Sequence, residues 1–225
     1  MALVSASPNR FENALAALYA ARLLPVVTLP DAQSAIPVGQ ALLAGGLPLI
    51  EITCRTPAAI PAIRKLRQEC PQLLVGAGTV LSATLAQEAL DAGAQFLVAP
   101  NFDETVLSAA ESRGVPMLPG VLTPTEVGRA RSRGLGIVKV FPASDAGGPS
   151  YPRTLASVFP EMKFVPTGGV GPAELRDYLS SAAVAACGGS WLTPSELLRE
   201  RRFEEIQALV AEAVSSVRQA GAPRK

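Results

Sequence analysis

Eight short runs of apolar and β-branched residues recur along the chain at intervals of roughly 20 to 27 residues, the length of one strand, one helix and two short loops. The runs are "LPVVTL", "LIEITCR", "LLVGAGTV", "FLVAP", "PMLPGV", "IVKVFPA", "FVPTGG" and "VAACGGSW". Between them, "TPTE" at Thr123–Glu126 predicts a capping box, and Gly46, Gly93, Gly114 and Gly134 each follow a helix-like segment. The repeat predicts an α/β fold, a (β/α)8 TIM barrel, with a doubly wound parallel sheet as the alternative.

The length of the chain suits one compact domain. At 225 residues with 48% hydrophobic content, the chain can bury a large core without dividing into two units. The segment from about residue 9 to 23 predicts an extra N-terminal helix, and the barrel is expected over about residues 24 to 220.

Composition argues against several classes of protein. A formal net charge of +1 with no basic cluster argues against nucleic acid as a partner. The N-terminus lacks the pattern of a signal peptide, and Arg22 and Pro25 interrupt the apolar stretch that follows, so no membrane segment is predicted. The three cysteines lack CxxC spacing, which favours a reducing cytoplasm over a disulfide framework or a zinc site.

The chain contains no histidine, and so it lacks the commonest general base and the commonest transition-metal ligand. Acid and base chemistry must therefore come from Glu, Asp, Lys or Tyr.

In the second run, Glu51, Thr53 and Arg55 alternate with apolar residues, which places three polar side chains on one face of the strand. In a closed barrel that face points inward. The alternative is a solvated edge strand or a structural ion pair between Glu51 and Arg55.

In "IVKVFPASD", Lys139 and Phe141 share one face of the sixth predicted strand. Burial disfavours the charged form of a lysine, so a partly desolvated amine becomes an available nucleophile for carbonyl groups. A nearby carboxyl group can move the protons that imine formation requires, and an arginine fork suits a substrate carboxylate. The alternative for Lys139 is a strand-end lysine whose amine reaches water.

The last two runs end in "PTGGV" and "CGGSW", whose paired glycines let backbone N–H groups approach an anion. The loops after these two strands of a barrel commonly hold phosphate, and Ser190 adds a hydroxyl. Thr79, at the end of the third run, could reach a substrate carboxylate. The alternative is tight turns with no ligand, but the whole set fits a phosphorylated keto acid.

Eight motifs resemble, in order, those of the class I 2-keto-3-deoxy-6-phosphogluconate (KDPG) and 4-hydroxy-2-oxoglutarate (KHG) aldolases. The motifs are "LPVVTL", "EITCRT", "VGAGTVL", "AGAQFLVAP", "PMLPGVLTPTE", "KVFPA", "PTGGV" and "GGSWL". The resemblance implies a Schiff-base lyase on a (β/α)8 barrel that forms a homotrimer, needs no metal or organic cofactor, and acts in carbohydrate metabolism through the Entner-Doudoroff pathway.

The same resemblance implies a role for each site residue. Lys139 forms the Schiff base with the substrate, and Glu51 transfers protons. The pyruvate part is expected to be bound by Arg55 and Thr79. The pocket wall is expected to consist of Pro100 and Phe141. The phosphate is expected to be bound by Gly168, Gly169 and Ser190.

Several alternatives stay open at the level of the sequence. Asn101 stands where the gluconate enzymes usually have glycine, and "SDAGGPSYPRTL" resembles a loop of the 2-dehydro-3-deoxy-6-phosphogalactonate aldolases, whereas Arg55 and "PTGGV" favour the gluconate branch. A phosphate-binding isomerase, a thiamine phosphate synthase or a non-catalytic sugar-phosphate sensor would share the glycine loops without needing Lys139. A metal-dependent pyruvate aldolase is disfavoured because Glu51 is the one carboxylate clearly expected inside the barrel.

Overall fold

The structure, a computed structural model, describes residues 10–220, so residues 1–9 and 221–225 of the predicted domain lie outside it. Each of the eight predicted runs contains strand residues. Within the described range the strands are β1 (Leu23–Val27), β2 (Leu49–Thr53), β3 (Leu74–Gly78), β4 (Leu97–Val98), β5 (Met117–Leu118), β6 (Gly120–Val121), β7 (Ile137–Val140), β8 (Lys163–Pro166) and β9 (Cys187–Gly189).

Helices follow the strands in turn, except that β5 leads directly into β6, which gives the alternating α/β order that the repeat predicts. They are α1 (Arg10–Ala21), α2 (Ala35–Ala44), α3 (Ala59–Glu69), α4 (Ala83–Asp91), α5 (Glu104–Ser112), α6 (Pro124–Ser132), α7 (Ser150–Val158), α8 (Pro172–Leu179), α9 (Ser195–Arg199) and α10 (Phe203–Ala220), with a short 3₁₀ helix at Ala32–Ser34.

The strands pair in parallel in two sheets. One sheet has the order β5-β4-β3-β2-β1-β9 and the other has the order β6-β7-β8. Isolated parallel bridges join Phe164 to Val184 and Thr167 to Gly188. The parallel α/β fold is therefore confirmed. Within the described range the first strand, β1, pairs directly with the last, β9, which is not the strand order of a doubly wound sheet.

Local sequence signals set several helix boundaries. The Thr123 side chain accepts from the Glu126 backbone while the Glu126 carboxylate accepts from the backbone N–H of Thr123, which confirms the predicted capping box. Gly46, Gly93 and Gly114 adopt positive φ after their helices, as does Gly134. These caps fix where each helix ends and the next strand begins, and so they set the position of the strand ends.

The core lies between the sheet and the helices. Val75, Ile52 and Val138 are fully buried, and α10 contributes Ile206 and Val210. Burying an apolar side chain of this kind stabilises the folded state by about 1.5–3 kcal/mol relative to leaving it exposed. The layer therefore supplies the main stabilisation of the fold.

Gly76→Ala tests the packing of β3 against the next strand. A Cβ at this position would lie 2.2 Å from the Phe96 ring, and Phe96 is buried. We expect the substitution to lower the free energy of unfolding by about 1–3 kcal/mol, measured by urea denaturation. Gly128→Ala in α6 is the matched control because its Cβ would meet nothing within 4 Å; equal effects of the two substitutions would contradict the packing argument.

Candidate functional site

Lys139 and Glu51 come together although they lie on different sheets. Lys139 is in β7 and Glu51 is in β2, and the Lys139 Nζ lies 3.7 Å from the Glu51 Oε1. Lys139 is 6% exposed and Glu51 is 0% exposed. A distance of 3.7 Å is an ion-pair contact and is too long for a hydrogen bond.

The Glu51 carboxyl group has an unusual environment for a buried acid. Neither of its oxygens hydrogen-bonds to any described residue. Burial raises the pKa of Glu51, and the positive charges of Lys139 and Arg55 only partly oppose this effect. A carboxyl group with a raised pKa can hold and release a proton closer to neutral pH than an ordinary glutamate can.

Gly78 makes the position of the Glu51 side chain possible. A Cβ on Gly78 would lie 2.0 Å from the Glu51 Oε1 and 2.5 Å from its Cγ. Gly78 pairs with Thr53 on the neighbouring strand, two residues beyond Glu51. The glycine at the end of β3 therefore leaves the space that the buried carboxyl group occupies.

A cavity of about 260 Å³ opens at the carboxyl ends of the strands. Its lining includes most of the residues predicted from the sequence. The lining residues are Val26, Thr28, Glu51, Arg55, Thr79, Lys139, Phe141, Thr167, Gly168, Gly169, Val170, Gly188, Gly189 and Ser190. In parallel α/β folds the functional sites lie at this end of the sheet.

Phe141 lies beside the lysine, as the alternation along β7 predicts. The Lys139 Nζ is 5.4 Å from the centre of the Phe141 ring. Because the face of an aromatic ring attracts a cation, Phe141 is a favourable apolar neighbour for the amine.

Arg55 and Thr79 occupy the rim formed by β2 and β3. Arg55 is exposed and follows the end of β2, and Thr79 has a positive φ of 55° directly after Gly78. A non-glycine residue in this region of the backbone is uncommon and often marks a functional position. The arrangement leaves a guanidinium group and a hydroxyl group accessible on one side of the cavity.

Glycine backbone forms another part of the cavity lining. Gly168 and Gly169 have φ of 89° and 75°, and a Cβ on Gly169 would lie 2.3 Å from the Ser144 side chain. Both conformation and space therefore require glycine at Gly169. Ser190 is exposed beside this backbone.

Pro100 is the one predicted site residue that does not line the cavity. Its carbonyl carbon and oxygen would lie 2.1 Å from a Cβ on Gly120, which pairs with Lys139. The Pro100 carbonyl group therefore lies against β6, the strand that pairs with the strand of Lys139.

Sequence reasoning missed several cavity residues. They are Val26, Thr28, Thr167 and Val170, whereas Gly188 and Gly189 are the glycine pair already singled out in "CGGSW". Val26 and Thr28 alternate along the first run in the same way as Glu51 and Arg55 along the second, and this alternation was the available signal.

Two further findings concern the described residues only. No group of three or more His, Cys, Asp or Glu side chains is placed there to hold a metal ion. No described helix is both long enough and apolar enough to cross a membrane.

Fold and site together define a parallel α/β protein with a buried lysine–glutamate pair at the carboxyl ends of its strands. A family model described as KDPG and KHG aldolase matches residues 15–209. The chain belongs to the KDPG and KHG aldolase family, as its ordered motifs predict.

Individual relatives agree with this membership. The 2-dehydro-3-deoxy-phosphogluconate aldolase of Treponema pallidum is 41% identical over 89% of this chain and 96% of its own length. A KDPG aldolase from Legionella pneumophila, solved with pyruvate captured as a covalent carbinolamine, is 34% identical, with a TM-score of 0.85 over 89% of this chain and 97% of its own. A Zymomonas mobilis KDPG aldolase solved with 3-phosphoglycerate is 35% identical, with a TM-score of 0.83 over 91% and 96%.

Glu51→Gln is expected to change how stability depends on pH. Because the pKa of Glu51 is raised on folding, the folded state binds more protons at this group than the unfolded state does between the ordinary glutamate pKa and the folded one. The stability contribution of Glu51 therefore decreases as pH rises through that window. Glutamine does not titrate, so the variant should gain stability relative to wild type with rising pH.

Urea unfolding at pH values from about 4 to 8 measures this difference. Glu204→Gln on the exposed side of α10 is the matched control. If the stability of Glu51→Gln relative to wild type stays constant or decreases as pH rises, burial does not raise the pKa of the Glu51 carboxyl group.

Proposed function

We propose that this chain is a class I aldolase that cleaves 2-dehydro-3-deoxy-6-phosphogluconate to pyruvate and glyceraldehyde 3-phosphate, and 4-hydroxy-2-oxoglutarate to pyruvate and glyoxylate. The observation that carries the proposal is the buried contact between the Lys139 amine and the Glu51 carboxyl group. Family membership and the relative with covalently captured pyruvate support it.

The reaction begins when the Lys139 amine attacks the C2 ketone to form a carbinolamine. Glu51 donates the proton with which water leaves, and a protonated imine results. The C3–C4 bond then breaks as the C4 hydroxyl loses its proton, and the bond electrons move to the imine. Glyceraldehyde 3-phosphate departs and leaves an enamine on Lys139.

The second half of the reaction returns the enzyme to its starting state. The enamine takes a proton at C3, and water hydrolyses the resulting imine to pyruvate and free Lys139. The raised pKa of Glu51 suits it to both proton donation and proton acceptance, because each direction must work near the same pH.

Substrate binding follows from the two sides of the cavity. Arg55 and Thr79 hold the carboxylate next to the ketone, since a guanidinium group forms bidentate contacts with a carboxylate. Gly168, Gly169 and Ser190 receive the phosphate through backbone N–H groups and a hydroxyl. Phe141 and Pro100 wall the pocket, with Phe141 beside the imine and Pro100 against β6.

We also infer that the two sheets form one closed eight-stranded barrel with α1 as an extra helix. The chain passes directly from β5 to β6 with only Pro119 between them, and the bridges at Phe164 and Thr167 join β8 to the region of β9. Closure would bring β2 and β7 to opposite sides of one mouth. A single domain over residues 1–225, a homotrimer, a cytoplasmic location and catalysis without a cofactor stay predictions.

Reduction with borohydride in the presence of pyruvate tests the Schiff base. We expect the mass of the protein to increase by one reduced pyruvyl group, located on Lys139 by peptide mapping and insensitive to chelators. Lys139→Ala should give no adduct and no cleavage, whereas Lys65→Ala on the exposed side of α3 is the matched control. An unmodified wild-type protein would favour a sugar-phosphate sensor or a different barrel enzyme.

Glu51→Gln tests the proton-transfer role separately from the nucleophile. We expect kcat to decrease by about 100-fold or more while the fold is retained, because a positioned acid or base contributes roughly 10²–10⁴-fold. Steady-state cleavage of the phosphogluconate substrate measures the effect. A wild-type kcat in the variant would remove Glu51 from the mechanism.

A further inference from the structure

Thr28 is a polar cavity residue that has no role in the proposed reaction. It follows β1 and lines the same cavity as Glu51 and Ser190. In the sheet, β1 pairs with β2 on one side, where Val26 is opposite Glu51, and with β9 on the other, where Pro25 is opposite Gly189. Thr28 therefore lies between the strand that leads to Arg55 and the strand that leads to Ser190.

A hydrogen bond fixes the orientation of the Thr28 hydroxyl. The Thr28 Oγ1 is 2.7 Å from the Thr53 Oγ1, and Thr53 is 0% exposed. The Thr53 hydroxyl has no other hydrogen-bond partner within residues 10–220. Either oxygen of this pair could be the donor, and donation from Thr53 to Thr28 is the arrangement that gives the buried Thr53 proton an acceptor. The proton of Thr28 is then free for a ligand.

The neighbouring cavity threonine lacks this freedom. Thr167 is 5% exposed, and its hydroxyl donates to the Val165 carbonyl oxygen at 3.3 Å. Thr28, by contrast, is only half-buried, and its own proton is free when Thr53 is the donor of their shared hydrogen bond. Of these two hydroxyls, Thr28 is the one that can donate into the middle of the cavity.

We propose that Thr28 donates a hydrogen bond to the hydroxyl group next to the aldehyde carbon of the departing product, which is the C5 hydroxyl of the phosphogluconate substrate. This inference rests on the proposed function, which places the carboxylate at Arg55 and Thr79 and the phosphate at the glycine loops. The part of the substrate between those ends carries the hydroxyl groups, and Thr28 lies between the same two strands. Thr53 acts as a positioning residue by holding the Thr28 oxygen.

The test uses the reverse reaction with two aldehydes. The pyruvate enamine on Lys139 attacks the aldehyde carbon through C3, the new C3–C4 bond forms, the aldehyde oxygen takes a proton, and water hydrolyses the imine. One aldehyde is glyceraldehyde 3-phosphate and the other is 3-oxopropyl phosphate, which lacks only the neighbouring hydroxyl. For wild type we expect kcat/KM to be about tenfold higher for glyceraldehyde 3-phosphate, since one neutral hydrogen bond contributes roughly that factor.

Thr28→Val should reduce this preference to about twofold or less, because the variant keeps the shape of the side chain and removes its donor. Thr28→Ser should restore most of the preference. Thr56→Val is the matched control, since the Thr56 hydroxyl donates to the Leu29 carbonyl and does not line the cavity. We expect it to keep the wild-type preference.

The single variant leaves the buried Thr53 hydroxyl without an acceptor and could fold poorly. The Thr28→Val/Thr53→Val double variant lacks both hydroxyls, so it gives a second measurement of the same loss of preference. A wild-type preference in either valine variant would overturn the inference. An equal loss with both aldehydes would also overturn it, because a merely structural role does not distinguish the two substrates.

Borohydride trapping of pyruvate on each variant separates this inference from the proposed function. An adduct on wild type together with an unchanged aldehyde preference in Thr28→Val contradicts the role of Thr28 alone. Wild-type protein that forms no adduct contradicts the Schiff-base mechanism and, with it, the assignment of Thr28.

Discussion

The burial of a carboxyl group beside an amine is the constraint on which the rest of this structure depends. Glu51 is fully buried, its oxygens have no hydrogen-bond partner among residues 10–220, and the Lys139 amine lies 3.7 Å away. An ionised carboxylate in such a place is costly, so its pKa is raised. A strongly perturbed carboxyl group of this kind is typical of a site that must exchange protons.

The same constraint explains residues that have no chemistry of their own. Gly78 leaves the space for the Glu51 side chain, and the backbone around Pro100 leaves no space for a Cβ at Gly120, the partner of Lys139. Polar residues at the mouth then divide by position. A guanidinium and a hydroxyl lie near β2 and β3, whereas glycine backbone lies near β8 and β9. A ligand with a carboxylate at one end and a phosphate at the other matches this division.

Much of the architecture could be predicted because its signals are local. The capping box at Thr123 and the positive φ of Gly134 depend on a few consecutive residues, and both are confirmed. Alternation along β2 and β7 likewise predicted which side chains share a face. In the structure Glu51 and Lys139 line one cavity. These signals require no knowledge of how distant strands meet.

What could not be predicted depends on contacts between elements distant in sequence. The Thr28–Thr53 hydrogen bond requires the register of β1 against β2, and threonine in a strand is too common to indicate a site. The position of Pro100 against β6 depends in the same way on packing against Gly120. The strands divide into two sheets at Pro119, where, among the described strands, β5 pairs only with β4 and β6 pairs only with β7. Apolar runs in the sequence do not reveal this break.

The central claim is that Lys139 bonds covalently to a keto acid whose carboxylate lies against Arg55 and Thr79. A crystal structure of the protein soaked with pyruvate tests it most directly. The account predicts continuous electron density from the Lys139 Nζ to C2 of pyruvate, with the carboxylate oxygens within hydrogen-bond distance of Arg55 and Thr79 and Glu51 beside the new bond. Pyruvate bound without a covalent link, or joined to a different lysine, would contradict it.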